Sequence, residues 1–300
     1  MTFLPSWRMA AAALALLLLA GCSGDSDSGD TTPDATPEPV EETPADSGVT
    51  GAPGGDAVMS DAPTKIDIDA VRETARTAMF VPAPTEFQAA LKASDVDIDI
   101  RKLLKDSERT LEGKTRPVIA LETGVRMANV LLTAQDGDKA TVIARMKLAR
   151  EGLVALNIPA ETMAEVDRVI GDFESDKIGT SELVPALDVL AEQLNDDLNL
   201  GTDPNTATLV QAGGWVQGAH LLSSSLHAAG QGGDAAALLH QPTVLAYFKD
   251  FLNKAGAGDP AVDVVLAEMD KLEALASKPA LTSDDLHAIA THTGTILSSF

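Results

Sequence analysis

The reactive side chains of this chain are few and unevenly placed. Its 300 residues hold one cysteine and five histidines. Cys22 is the only thiol, so no disulfide can close within the chain. His220, His227, His240, His287 and His292 all fall in the last third. His220 and His227 stand two turns apart along a helix face, too far to share a metal ion, and no His-Glu-x-x-His occurs. Asp95, Asp97 and Asp99 alternate as at the start of a calcium loop. The sixth position of that loop is Ile100 where glycine is needed, and the twelfth is Asp106 where a bidentate glutamate belongs. There is no Gly-x-Ser-x-Gly, phosphate loop or dinucleotide fingerprint. The expectation is therefore a protein without catalytic residues, metal or cofactor.

The most distinctive remaining run is Ala212-Gly213-Gly214-Trp215-Val216-Gln217-Gly218-Ala219-His220. Glycine inside a helix costs about 1 kcal/mol against alanine, so three of them need a reason. Gly214 and Gly218 share one helix face, where a missing side chain lets another helix approach closely. One reading is a tight helix crossing with Trp215 in or beside the core. The other is a small pocket walled by Trp215, Gln217 and His220.

The elements that must carry these residues follow from the rest of the chain. Arg8 precedes an apolar run from Met9 to Ala20, which ends in Leu18-Leu19-Ala20-Gly21-Cys22. A cation, an apolar core and small residues before a cleavage point read as a secretion signal. The run is about 12 residues, short of the roughly 20 that span a bilayer. Leu19-Ala20-Gly21-Cys22 resembles the lipobox of bacterial lipoproteins. That resemblance implies removal of residues 1–21, thioether lipidation of Cys22 and acylation of the new N-terminus. Two or more acyl chains would anchor the protein stably where one would not. Ser23 follows the cysteine where, in such lipoproteins, an aspartate would favour the inner membrane, so the outer membrane is the expected destination.

Residues 22–64 then form a lipid-bearing, disordered linker rich in Pro, Gly and Ser. Its acids are Asp25, Asp27, Asp30, Asp34, Glu38, Glu41, Glu42, Asp46, Asp56 and Asp61, and it has no base. With few hydrophobes, nothing offsets the entropy of ordering it. Its reach is on the order of 35 Å. The whole chain carries a formal charge of −23, which repels phosphate backbones, so no nucleic-acid partner is expected.

From Lys65 on, the pattern is helical. Abundant Ala and Leu, with 3% aromatics, point to an all-α multi-helix bundle over residues 65–300. Helices are expected from Asp69 to Met79, from a Thr85 cap with Gln88 at the box position to Lys92, and from Ile98 to Lys105. Val81 to Pro84 is expected to be extended. Val118, Leu121, Val125, Ala128 and Leu132 recur at helical steps to Ala134. Further helices are expected at Lys139–Leu156, Ala160–Phe173, Thr180–Asn199, Thr206–Ala228, Pro242–Lys254, Pro260–Ala276 and Ser283–Leu297, with a loop from Gly230 to Gly233. Residues 118–199 and 208–300 read as two similar four-helix blocks. Val125 to Leu131 lies over Val216 to Leu222, and Thr180-Ser181-Glu182 lies over Thr282-Ser283-Asp284.

The Gly213-Gly214-Trp215-Val216-x-Gly218-x-x-Leu221 run resembles a group of uncharacterised helical envelope lipoproteins of Bacteroidetes and other Gram-negative bacteria. Val81-Pro82-Ala83-Pro84 and the stretch from Ala120 to Leu132 with Gly124 are similar to them as well. The likeness extends over residues 80–300 in short stretches. Gln217 stands where an acid is usual, and His220-Leu221-Leu222 replaces an aromatic-rich stretch. The resemblance implies a helical fold and an envelope location and carries no activity.

The functional expectation is a membrane-anchored envelope lipoprotein whose helical domain binds a protein or small ligand, or acts as a scaffold. One alternative is a small-ligand sensor or solute-binding domain with a pocket between the two blocks near Trp215. Another is a hydrolase or metalloenzyme, which requires His, Asp and Glu side chains to converge in a cleft.

Overall fold

The computed structural model describes residues 81–96, 103–104, 110–135, 137–200 and 205–300. The expected signal segment, Cys22, the expected linker, Asp97, Asp99 and the helix expected at Asp69 to Met79 lie outside the described residues, as does most of Ile98 to Lys105. The elements are α1 (Pro84–Ala93), α2 (Arg116–Ala134), α3 (Lys139–Ala155), α4 (Ala160–Glu174), α5 (Thr180–Leu200), α6 (Asn205–Ala228), a 3-10 helix (Gly233–Leu239), α7 (Pro242–Ala255), α8 (Pro260–Ala276) and α9 (Ser283–Ser299). There is no strand among the described residues. The fold is an all-α bundle.

Local chemistry sets the helix ends. Asp138 Oδ1 accepts from the Thr141 N–H at 3.0 Å and starts α3. Asp259 Oδ1 accepts from the Ala261 N–H at 2.8 Å and starts α8. Thr282 and Asp285 form a reciprocal capping box at α9. The Lys278 ammonium and the hydrogen bonds from Thr282 hold the Asp285 carboxyl down at about 2. Two expected starts move. Pro84 is already helical in α1, because its fixed φ suits a first turn, and Glu86, not Gln88, reaches back to the Ala83 N–H at 2.7 Å. Gln88 is instead buried against α2, donating to the Leu132 carbonyl at 3.4 Å. At α5 the returning carboxylate is Glu182, which accepts from the Gly179 N–H at 2.6 Å, so Thr180 lies inside the helix. The expected loop after Gly230 gives way at Gly233 to the 3-10 helix.

Packing arranges the long helices in two rings. In the first, α2, α3, α4 and α5 each touch the next, and α5 returns to α2. In the second, α6, α7, α8 and α9 do the same in the same order. The rings share a wall where α2 lies on α6, the most extensive helix pairing in the domain. α1 closes over that wall against α6 and α2. Helix α6 is buried almost all round, as a helix at the centre of a bundle must be.

The shared wall is a crossing of bare backbones. A Cβ on Gly124 would stand 1.9 Å from the Val210 carbonyl oxygen, and a Cβ on Gly213 would stand 2.0 Å from that of Leu121. The contact is reciprocal. Leu121 and Gly124 on α2 meet Val210 and Gly213 on α6 as the two halves of an isologous interface meet. This corrects the register expected from side chains. Gly124 answers to Gly213, so Val125 answers to Gly214 rather than Val216. The caps make a similar correction, with Glu182 answering to Asp285 rather than Asp284. In both places the equivalence is set by backbone demands, which matching side chains do not report. The rings differ mainly in one connection: residues 135–138 join α2 to α3, whereas 229–241 join α6 to α7 and include the 3-10 helix.

Neither carbonyl can retreat without breaking helix hydrogen bonds. Gly124→Ala and Gly213→Ala are therefore each expected to lower stability by about 3 kcal/mol. Gly171→Ala, whose Cβ would meet nothing within 4 Å, should raise it by up to about 1 kcal/mol. Guanidinium denaturation at pH 7 measures all three; equal effects would remove the crossing from the account.

Candidate functional site

Helix α6 carries the whole Gly-Trp run, and its side chains point to different neighbours. Gly214 is not the bare position of the crossing: a Cβ there would meet the Gly124 carbonyl at 3.6 Å, an ordinary contact. Gly218 faces α1, where a Cβ would stand 2.3 Å from Phe87 Cδ2. Trp215 is 2% exposed. It sits between Phe87 and Phe248, with ring centroids 6.3 and 6.2 Å away and edge-to-face tilts of 77° and 62°. Its indole N–H has no hydrogen-bond partner among the described residues. Gln217 is buried. His220 turns to α9, where its Nδ1–H donates to the Ala290 carbonyl at 3.1 Å. A Cβ on Gly294 would stand 3.3 Å from His220 Cε1, so this glycine makes room for the ring. Trp215 and Gly218 thus build packed core toward α1 and α7, while His220 clamps α6 to α9. The five residues do not converge on one space.

The other histidines also hold helices together. His227 on α6 and His287 on α9 have ring centroids 4.7 Å apart. His227 also donates through Nδ1 to the Ser283 carbonyl at 3.2 Å. His240 reaches the Ala276 carbonyl at the end of α8, at 3.3 Å. His292 Nδ1 lies 2.6 Å from Glu268 Oε2. Burial pushes the Glu268 carboxyl up, but hydrogen bonds from Lys271 and His292 outweigh it and hold the group below the usual range. Among the described residues no three His, Cys, Asp or Glu side chains stand close enough to hold a metal ion.

Two features escaped the sequence reading. The first is a buried ion pair on α2. Arg126 donates through Nε to Glu122 Oε1 at 3.2 Å and through Nη1 to the Leu148 carbonyl on α3 at 2.9 Å. Both side chains are almost fully buried. Their four-residue spacing within an apolar stretch was the available signal. The second is a cavity of about 60 Å³ inside the first ring. Its lining comes from all four helices, with Met127 and Leu131 on α2, Met146 on α3, Ile170 on α4 and Ala191 on α5. Arg150 is its one charged lining residue. The Arg150 guanidinium forks onto Asp167, with Nη2 donating to Oδ2 at 2.9 Å. That pairing raises the arginine further and holds the Asp167 carboxyl below its ordinary value.

No family model, curated protein or solved structure matches the chain.

The packing of Trp215 sets its expected mutational behaviour. An indole N–H that makes no bond contributes little, so Trp215→Phe should stay within about 1.5 kcal/mol of the parent. Trp215→Ala, which empties the space between Phe87 and Phe248, should cost about 3–5 kcal/mol. Thermal and urea unfolding of both variants measures this; a Phe variant as unstable as the Ala variant would mean the N–H is bonded after all.

Proposed function

We propose that this chain is a membrane-anchored envelope lipoprotein whose helical domain is a non-enzymatic binding scaffold. The observation that carries the reading is Leu19-Ala20-Gly21-Cys22 at the end of a short apolar run, with the only thiol of the chain at the processing point. The thiol has no second cysteine in the chain to pair with, and the likeness of this run to a lipobox implies its lipidation. Ser23 directs the protein to the outer membrane, and the acidic stretch after it acts as a spacer. No helix among the described residues is long and apolar enough to cross a membrane.

The helical domain fits a scaffold better than a sensor with a site between its two rings. Such a site would need open space near Trp215, and there the ring is packed between two phenylalanines. The glycine crossing beside it leaves no gap for a ligand. The partner is then an envelope protein that docks on the outside of the bundle.

Cys22→Ser is expected to move the protein from the membrane fraction to the soluble fraction of lysed cells and to abolish incorporation of labelled palmitate. Continued sedimentation with outer membranes, or labelling without Cys22, would overturn the lipid tether.

A further inference from the structure

The seam between α6 and α9 is antiparallel, with His220 against Thr293 and, two turns on, His227 against Ser283. It ends at the surface in a pair of imidazoles. His220, His240 and His292 each pair with a carbonyl or a carboxylate. His287 differs from them: it is exposed, and its ring makes no hydrogen bond among the described residues. Its neighbour His227 is half-buried and already oriented. The Ser283 carbonyl can only accept, so Nδ1 of His227 carries a proton and Nε2 of the neutral ring carries the lone pair. Imidazoles that ligate metals almost always donate their second nitrogen in this way, which fixes the tautomer and the ring. The spacing of the pair is also that of two ligands on one ion. A metal about 2.0 Å from an imidazole nitrogen lies about 3.2 Å from the ring centroid. Centroids 4.7 Å apart then set the two nitrogens at about 95° around a common ion. That is the angle between neighbouring positions in the tetragonal geometry of copper(II) and nickel(II). The rings are tilted by 37°, and rotation of the exposed His287 side chain turns a nitrogen onto the ion.

We propose that His227 and His287 form a two-imidazole site for a divalent transition-metal ion, with copper(II) the tightest bound. The donor set decides the class of ion. Two neutral nitrogens suit copper, nickel and zinc, in the order copper above nickel and zinc, whereas calcium and magnesium require oxygen. No third His, Cys, Asp or Glu stands within reach among the described residues, so water fills the other positions. The site is therefore open, unlike the four-ligand sites that hold folds together, and it captures an ion at the surface without being part of the core. The positive end of the α9 dipole opposes a cation here, and Asp284 and Asp285 in the first turn of α9 offset it. This site goes beyond the scaffold reading and does not depend on the tether.

The test uses the full-length chain carrying Cys22→Ser, which removes the one competing thiol, without a histidine tag and in a non-coordinating buffer at pH 7.5. The probes are copper(II), zinc and calcium chlorides alone, followed by titration calorimetry. One equivalent of copper should bind saturably, zinc more weakly, and calcium not at this site. The copper EPR spectrum should show coupling to two imidazole nitrogens. His227→Gln and His287→Gln should each weaken copper binding by at least about tenfold. His287→Ala, at an exposed position, guards against a variant that fails to fold, and His240→Gln should leave the affinity unchanged. Absence of one-to-one copper binding, affinity unchanged in folded His227 or His287 variants, or an EPR spectrum with oxygen donors alone would each overturn the proposal. Because Cys22 is replaced throughout, failure here leaves the anchoring reading standing, and failure of anchoring leaves this one.

Discussion

Two carbonyl oxygens facing two glycines fix the geometry of this domain. A helix brings its backbone onto another only where no Cβ intervenes, and at the α2–α6 wall both partners meet that condition in the same way. Gly124 lies on the Val210 carbonyl and Gly213 on that of Leu121. Cα–H···O contacts form in such geometry and are individually weak. The larger gain is indirect. Bare backbones let the two helices pair closely, and the flanking Leu121, Val125, Val210 and Val216 are all buried. About 1 kcal/mol of helix propensity is lost at each glycine, which several buried aliphatic side chains outweigh.

Everything else is arranged about that contact. Because the crossing is reciprocal, a ring of helices on one side is matched by a ring of the same order on the other, and α6 serves both as a wall and as the centre of the domain. Its surroundings explain its composition. Trp215 fills the space toward α1 and α7, Gly218 admits Phe87, and His220 closes the second ring against α9. A run that reads as one unusual motif serves three different neighbours, one per side of the helix.

The helices and their order were legible because three- and four-residue steps of Val and Leu, broken by Gly and Pro, report local structure directly. Pro117, Pro242 and Pro260 each stand in a first turn, where a missing N–H costs nothing. The pairing of blocks was legible too, but not its register. Val125 and Val216 look alike as side chains, whereas the crossing is decided by where side chains are lacking. Gly124 carried that signal, yet within one sequence it is indistinguishable from a tolerated helix glycine. The sequence puts Gly214 and Gly218 together on one helix face, whereas the bare-backbone crossing runs through Gly213. It could not tell that Gly213 meets backbone while Gly218 meets a phenyl ring. The cavity was beyond reach altogether, because it is a shortfall of volume among residues that are individually ordinary.

That shortfall falls where the architecture can tolerate it. α6 is held by helices on every side, and any shift there would disturb both rings at once. In the first ring, α3 and α4 pack on α2 and α5, away from α6. Their outer ties are exposed ion pairs such as Arg150–Asp167 and Lys147–Glu174, which hold weakly and re-form easily. A chain with 3% aromatics has few rings for filling space, and two of them, Phe87 and Phe248, are committed around Trp215. The limb whose centre is lined by aliphatic side chains, with no aromatic ring among them, is therefore the one that keeps a cavity. The close crossing and the cavity in the first ring are consequences of the same allocation of bulk.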